Sequence, residues 1–274
     1  MTDKMEWQGR VGSSWAAQWQ RTDRSFAALT QRLIAAILAQ GECNNIVDIG
    51  CGAGELSIAV AKAKPDSQVL GLDISADLTG VAIARGGGIA NLKFSVADAA
   101  EWQDVTFAPD LYISRHGVMF FDDPVAAFTN LSDAAAPHAK LIFSCFRAPT
   151  ANDWARKIGD LLPPAPATNR YAPGPFAFAD PEYVRANLSA AGWDDIMLEP
   201  FDFDYIAGEG DDPVGDAMEF FAHIGPAARA IRSLIGDEQT DFLNRLRALA
   251  EANVSGDTVR FDAAAWIVTA QKTT

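Results

Sequence analysis

The sequence predicts an α/β fold, and three observations predict it. Residues 45–49 are a β-prone apolar run that ends on Gly50, Cys51, Gly52, Ala53 and Gly54, and Ile58, Val60 and Ala61 follow as one side of a helix. Strand, glycine turn and helix in that order open a nucleotide-binding βαβ unit. The alternation continues, with strand-like runs at 68–73, 92–96, 109–114 and 140–146 separated by helical stretches. Finally, 274 residues at 49% hydrophobic content can bury a sizeable core in one large domain.

The glycine spacing carries the first functional information. A dinucleotide fingerprint would put glycines at 50, 52 and 55, but position 55 is Glu55 and the third glycine is Gly54. A carboxylate at that place would face a pyrophosphate, so the turn suits a nucleoside without phosphates. Asp48, two residues before the first glycine, adds an acid at the strand tip.

The run Val47-Asp48-Ile49-Gly50-Cys51-Gly52-Ala53-Gly54 resembles motif I of class I S-adenosylmethionine-dependent methyltransferases of the small-molecule type. It is similar to the ubiquinone/menaquinone-biosynthesis methyltransferase-like group. The resemblance implies a Rossmann-like, doubly wound, seven-stranded sheet whose last strand is antiparallel and lies between the fifth and the sixth. It implies S-adenosylmethionine as cofactor and S-adenosylhomocysteine as product. Recognisable motifs cover about residues 10–150, while 180–274 agree only in the order of elements.

Composition limits the partners. The 22 basic and 36 acidic residues give a net charge of −14, which argues against a nucleic-acid substrate and against anionic membrane surfaces. Three cysteines, an odd number without a CxxC pair, predict neither disulfide framework nor zinc site and suit a reducing cytoplasm. The polar N-terminus has no apolar signal core, and no run approaches a membrane span. The expectation is a single cytoplasmic domain, monomer or homodimer, acting on a small-molecule acceptor.

Taken in order, residues 1–12 read as a loosely held arm. Ser13 or Ser14 caps a helix to about Gln40, with apolar positions at Phe26, Leu29, Leu33, Ile34, Ile37 and Leu38. Trp15 and Trp19 lie four apart on one face; they form part of a cofactor lid (residues 1–40) or simply pack the helix down. Asp73 ends the second strand about twenty residues after the glycines, followed by Ile74. It either accepts both ribose hydroxyls or caps the helix from Ser75. After the third strand, Asp98 and the amide of Ala99 match the family's adenine contacts; an Asp at any turn is the alternative. The fourth strand delivers Ser114, Arg115 and His116 to the switch in strand order, where ligands of open α/β sheets bind. Proline-rich residues 147–178 and helical residues 206–260 read as substrate-cap insertions, with a strand at 196–205 and a last strand at 263–270.

His116 is the candidate catalytic base, needed only if the acceptor arrives protonated; a structural or cofactor-contacting role is the alternative. Arg115 holds a substrate carboxylate or pairs with one of the many acids. Tyr171, Tyr205 and Phe178 line an apolar pocket or pack the core. Asp122 and Asp123 are adjacent and point apart, so no metal site is expected. The cofactor set is therefore Trp15, Trp19, Asp48, Gly50, Cys51, Gly52, Gly54, Asp73, Ile74, Asp98, Ala99, Ser114 and Arg115. Two competing functions remain at this point: an NAD(P)-dependent dehydrogenase of similar fold, and a non-catalytic binder of S-adenosylmethionine.

Overall fold

The computed structural model describes residues 4–163 and 169–273. Four short helices, α1 (Lys4–Gln8), α2 (Arg10–Ala17), α3 (Trp19–Ser25) and α4 (Ala27–Leu38), lead into β1 (Asn45–Ile49). Then α5 (Glu55–Ala63), β2 (Gln68–Asp73), α6 (Ala76–Gly86), β3 (Leu92–Val96), β4 (Leu111–Arg115), α7 (Pro124–Ala134) and β5 (Lys140–Phe146) alternate. The C-terminal part holds α8 (Asp153–Gly159), α9 (Pro181–Ala190), β6 (Trp193–Glu209), α10 (Pro213–His223), α11 (Gly225–Ser233), α12 (Gly236–Ala252), β7 (Val254–Ser255) and β8 (Thr258–Lys272).

The sheet order is β3-β2-β1-β4-β5-β8-β6, with the two-residue β7 pairing only with β8. Strands β1 to β5 pair in parallel, and β8 runs antiparallel between β5 and β6. This is the doubly wound sheet with an antiparallel last strand that the motifs imply. The antiparallel insertion also departs from the 3-2-1-4-5-6 order of the dinucleotide-binding sheet, which counts against the dehydrogenase alternative.

Central strands are buried on both faces because helices cover both sides, and their sequences are correspondingly apolar along nearly their whole length. The cover is itself anchored by aromatic donors. Trp193 is fully buried, and its Nε1 donates to the Phe128 carbonyl at 3.0 Å. The Tyr112 hydroxyl donates to the Leu131 carbonyl at 3.0 Å. Trp193 opens β6.

The N-terminal expectation needs correction. No single helix runs from Ser13 to Gln40: the chain breaks at Gly9, Gln18 and Phe26, where φ is −117°, −106° and −108°. The breaks let the short helices turn, so that α2 packs on α6 while α3 and α4 reach β6. Ser13 and Ser14 lie inside α2, which has Gly9 at its N-cap position. Nor is the described part of 1–12 a loose arm. Lys4 pairs with Asp98, and Trp7 packs on Trp15 and Phe120 with ring centroids 5.4 and 5.1 Å apart.

Residues 147–178 also carry more structure than proline content suggests, since α8 forms within them; Pro164, Ala165 and Pro166 of the proline run lie outside the described residues. Strands β6 and β8 are longer than expected. They run on as a hairpin ribbon in which charged residues such as Asp204 and Arg260 pair across the exposed face. Helices α10 to α12 occupy the connection.

Backbones meet closely at the tips of β1 and β4. A Cβ at Gly117 would sit 2.4 Å from the Ile49 carbonyl oxygen and 3.0 Å from Gly50 Cα. Gly117→Ala is expected to cost about 1–3 kcal/mol by overpacking. Gly80→Ala, on α6 with nothing within 4 Å of the new Cβ, is expected to gain up to about 1 kcal/mol. Urea unfolding of the two variants checks both; a Gly117→Ala protein as stable as its parent would refute the close packing of these tips.

Candidate active site

A cavity of about 980 Å³ opens above the carboxyl ends of β1 to β4, at the switch between β1 and β4. Its floor is the glycine turn. Gly50 and Gly52 both have positive φ, 63° and 55°, a conformation that a side chain strains. A Cβ at Gly52 would meet nothing within 4 Å, so the space before it is open to a ligand. Gly54 does a different job: with φ 83° it starts α5 and packs on Phe94 and Ala82, away from the cavity lining.

Three acids stand at successive strand tips. Asp48 is 1% exposed; Ser57 Oγ donates to its Oδ2, and its Oδ1 has no partner. Burial lifts its carboxyl to about 7, against the opposing pull of Ser57 and Arg115. Asp73 receives the Gly52 amide on Oδ2 and the Ser75 amide on Oδ1, each at 2.8 Å. Burial raises its pKa while those two amides lower it. Ser75, not Asp73, caps α6 through its own hydroxyl. Asp98 accepts from the Ala100 amide at 2.9 Å and pairs with Lys4. Cys51, Ile74 and Ala99 line the cavity beside these acids.

The fourth strand contributes differently from expectation. Ser114 does not line the cavity: its hydroxyl donates to the Ile49 carbonyl at 2.7 Å and accepts the Gly117 amide at 3.1 Å, tying two strand tips together. Arg115 does line it, but its guanidinium is held by Glu55, by Asp23 at 3.5 Å and by Thr30 Oγ1 at 2.7 Å. Its charge is therefore committed to the protein's own acids. Glu55 in turn faces Arg115 and does not line the cavity. Its distance from the ligand space removes the like-charge argument that its position in the sequence suggested.

His116 is the site's unusual residue. It has φ 64°, is 8% exposed and stacks on Phe146 at 4.1 Å between centroids. Phe26 meets it edge-on at 5.2 Å. Neither ring nitrogen has a partner. Burial, helped by the Arg115 charge, pushes its pKa down to about 3. The ring is therefore neutral at pH 7 and carries one N–H and one lone pair, both without a partner. The aromatic wall continues through Trp154, Phe176 and Tyr205, and Trp154 Nε1 is buried without a partner.

The helical cover closes from above. Trp15 and Trp19 both line the cavity although the helix breaks between them. Trp19 carries the Arg85 guanidinium 3.8 Å from its ring centroid, and Asp23 joins Arg85 to Arg115. Of the aromatics expected to line an apolar pocket, only Tyr205 does. Tyr171 stacks on Tyr183 and donates to Asp180, and Phe178 sits in the core against Phe128 and Phe143. Among the described residues no cluster is suited to a metal ion, and no helix is long and apolar enough to cross a membrane.

Residues 42–167 match the family model described as a methyltransferase domain. The match takes in β1 to β5 and the glycine turn. A trans-aconitate 2-methyltransferase of Methylobacterium radiotolerans is 32% identical over 126 residues, 42% of this chain and 47% of that one. A malonyl-[acyl-carrier protein] O-methyltransferase of Hahella chejuensis is 27% identical over 111 residues, 40% and 39% of the two chains. These aligned stretches cover under half of either relative. Among solved structures, the magnesium protoporphyrin IX methyltransferase of Synechocystis PCC 6803 with bound S-adenosylhomocysteine superposes with a TM-score of 0.51. It is 15% identical and covers 94% of each chain. The matched stretch thus contains the strand tips and the glycine turn, while the helices α9 to α12 lie outside it.

The far wall of the cavity was not visible in the sequence. Trp7, Phe26, Phe146, Trp154 and Phe176 are single aromatics in unrelated segments, and only the tertiary fold brings them together. Gly117, directly after His116, was the one local signal of a close approach.

Proposed function

We propose that this protein binds S-adenosylmethionine across the tips of β1 to β3 and transfers its methyl group to a small-molecule acceptor in the aromatic half of the cavity. The observation that carries the reading is the set of three acids, one at each strand tip, around a glycine turn with open space before it. Asp73 still has lone pairs for the ribose diol, since a carboxylate oxygen accepts more than one hydrogen bond. Asp98 and the Ala99 amide suit the adenine edge, with Lys4 moving aside or sharing the carboxylate. The unpartnered Oδ1 of buried Asp48 suits the ammonium of the cofactor's amino-acid end.

S-adenosylmethionine supplies an activated methyl on a sulfonium, and its leaving group is neutral. The protein's work is then to position both reactants in register, which supplies up to about 7–11 kcal/mol of the barrier. Trp15 and Trp19 exclude water from above, and Gly50 and Gly52 admit the ligand to the backbone. With a pKa of about 3, His116 is a poor proton acceptor at pH 7. Its better role is to orient the acceptor by hydrogen bonding, and a general-base role falls to second place.

Calorimetry tests the reading. S-adenosylhomocysteine should bind and NADH should not; a methyl-labelled cofactor with candidate acceptors then separates an enzyme from a silent binder. Binding should also release a proton. The Asp48 carboxyl titrates near 7 in the free protein, and a cation beside it favours the carboxylate. Between about pH 6 and 7 the apparent enthalpy should therefore change with the buffer's ionisation enthalpy, and affinity should rise with pH through this range. A buffer-independent enthalpy in the parent, or one unchanged in Asp48→Asn, rules out the Asp48 assignment.

A further inference from the structure

The rim of the cavity beside α1 is basic. Arg10 on α2 and Arg229 and Arg232 on α11 all line it, and the last two are one helical turn apart. Glu6 approaches two of them, at 3.9 Å from Arg10 and 3.7 Å from Arg229. Arg232 has no carboxylate within 4 Å among the described residues, and the cluster lowers its pKa through desolvation and the charges of Arg10 and Arg229. In a chain of net charge −14, a rim with three guanidiniums is a local reversal of sign. Such a mouth attracts and holds anions.

What lies behind the rim narrows the ligand further. Helix α11 packs on α8, the helix that carries Trp154 into the cavity. One wall therefore presents cationic forks outside and aromatic faces inside. At its deep end are the unpartnered Trp154 Nε1 and the His116 ring. A neutral apolar acceptor would leave the Arg232 charge without an anion, and a fully hydrated anion would leave the aromatic wall unused.

We propose that the methyl acceptor is a small organic anion with an apolar body, its carboxylate or phosphate held at this rim by Arg232 together with Arg10 and Arg229. The planar guanidinium matches either oxyanion bidentately. The proposal rests on the methyl-transfer reading and gives it a substrate class.

The test uses the full chain saturated with S-adenosylhomocysteine. Benzoate, cinnamate, glutarate, citrate and phenyl phosphate are titrated by calorimetry, each beside its neutral methyl ester. At least one anion should bind tenfold or more tighter than its ester, and more weakly as salt rises. Arg232→Gln should lose tenfold or more of that affinity, Arg232→Lys should recover part of it, and both should keep the parent's S-adenosylhomocysteine affinity. The carboxylate and phosphate arms then identify the oxyanion. The proposal is overturned if no anion binds, if esters bind as well, or if Arg232→Gln retains full affinity. Failure of S-adenosylhomocysteine itself to bind would instead remove the methyl-transfer reading.

Discussion

Asp73→Ala is expected to weaken S-adenosylhomocysteine binding by a hundredfold or more. The carboxylate has two duties. It would accept the ribose hydroxyls, and it already orders the glycine turn by taking the Gly52 and Ser75 amides at 2.8 Å each. Charge-assisted hydrogen bonds contribute about 1.5–3 kcal/mol each. Losing a pair of them is about 3 kcal/mol or more, which is at least a hundredfold in affinity. Asp73→Asn separates the duties. Its one carbonyl oxygen can still receive one of the two amides, while its NH2 group opposes the other donor, so an intermediate loss is expected. Calorimetry on both variants, with thermal unfolding to confirm that they fold, measures the effect. A change below threefold in Asp73→Ala would mean that the ligand's sugar lies elsewhere.

How much of this was legible beforehand follows from the range of the interactions. Strands β1 to β5 match their expected spans closely because each is a short β-prone run, most of them with glycine, proline or aspartate close by, a local signal. Asp48, Asp73 and Asp98 could be placed for the same reason, each ending such a run. The break at Gln18 had no local cause: that residue is 7% exposed, and its Oε1 receives Arg21 at 2.8 Å. Arg115 and Glu55 illustrate the other limit. Read separately, one suited a substrate carboxylate and the other repelled a pyrophosphate, yet the fold sets them against each other. A charge's partner across 60 residues is a tertiary fact. Trp154 and Arg232 belong to the same class, on helices α8 and α11 that are far apart in the sequence and packed together in the fold.

His116→Asn is expected to slow methyl transfer about a hundredfold and leave S-adenosylhomocysteine affinity within about threefold. Asparagine is the fitting replacement because it tolerates the left-handed backbone at φ 64°. It loses the Phe146 stack, at about 0.5–1.5 kcal/mol, and misplaces the acceptor, for which a hundredfold is a usual penalty. Two pH measurements distinguish orientation from base catalysis. The ring's pKa near 3 predicts no His116 limb in turnover between pH 5 and 8. A limb near 6.5 that disappears in His116→Asn would restore the general base. Stability supplies the second measurement. The folded pKa lies below the ordinary 6.5, so the unfolded chain binds the extra proton. Stability from this residue is thus present above about pH 6.5 and lost as pH falls toward 3. Asp48, raised from 3.8 to about 7, acts oppositely, weakening the fold as pH rises through that window. Comparing the parent with His116→Asn cancels the Asp48 contribution. The variant should therefore gain on the parent as pH falls from 6.5, by up to about 4 kcal/mol from a shift of this size. Parallel stability curves for the two proteins would show that the imidazole is not held neutral, and the orienting role would fall with that result.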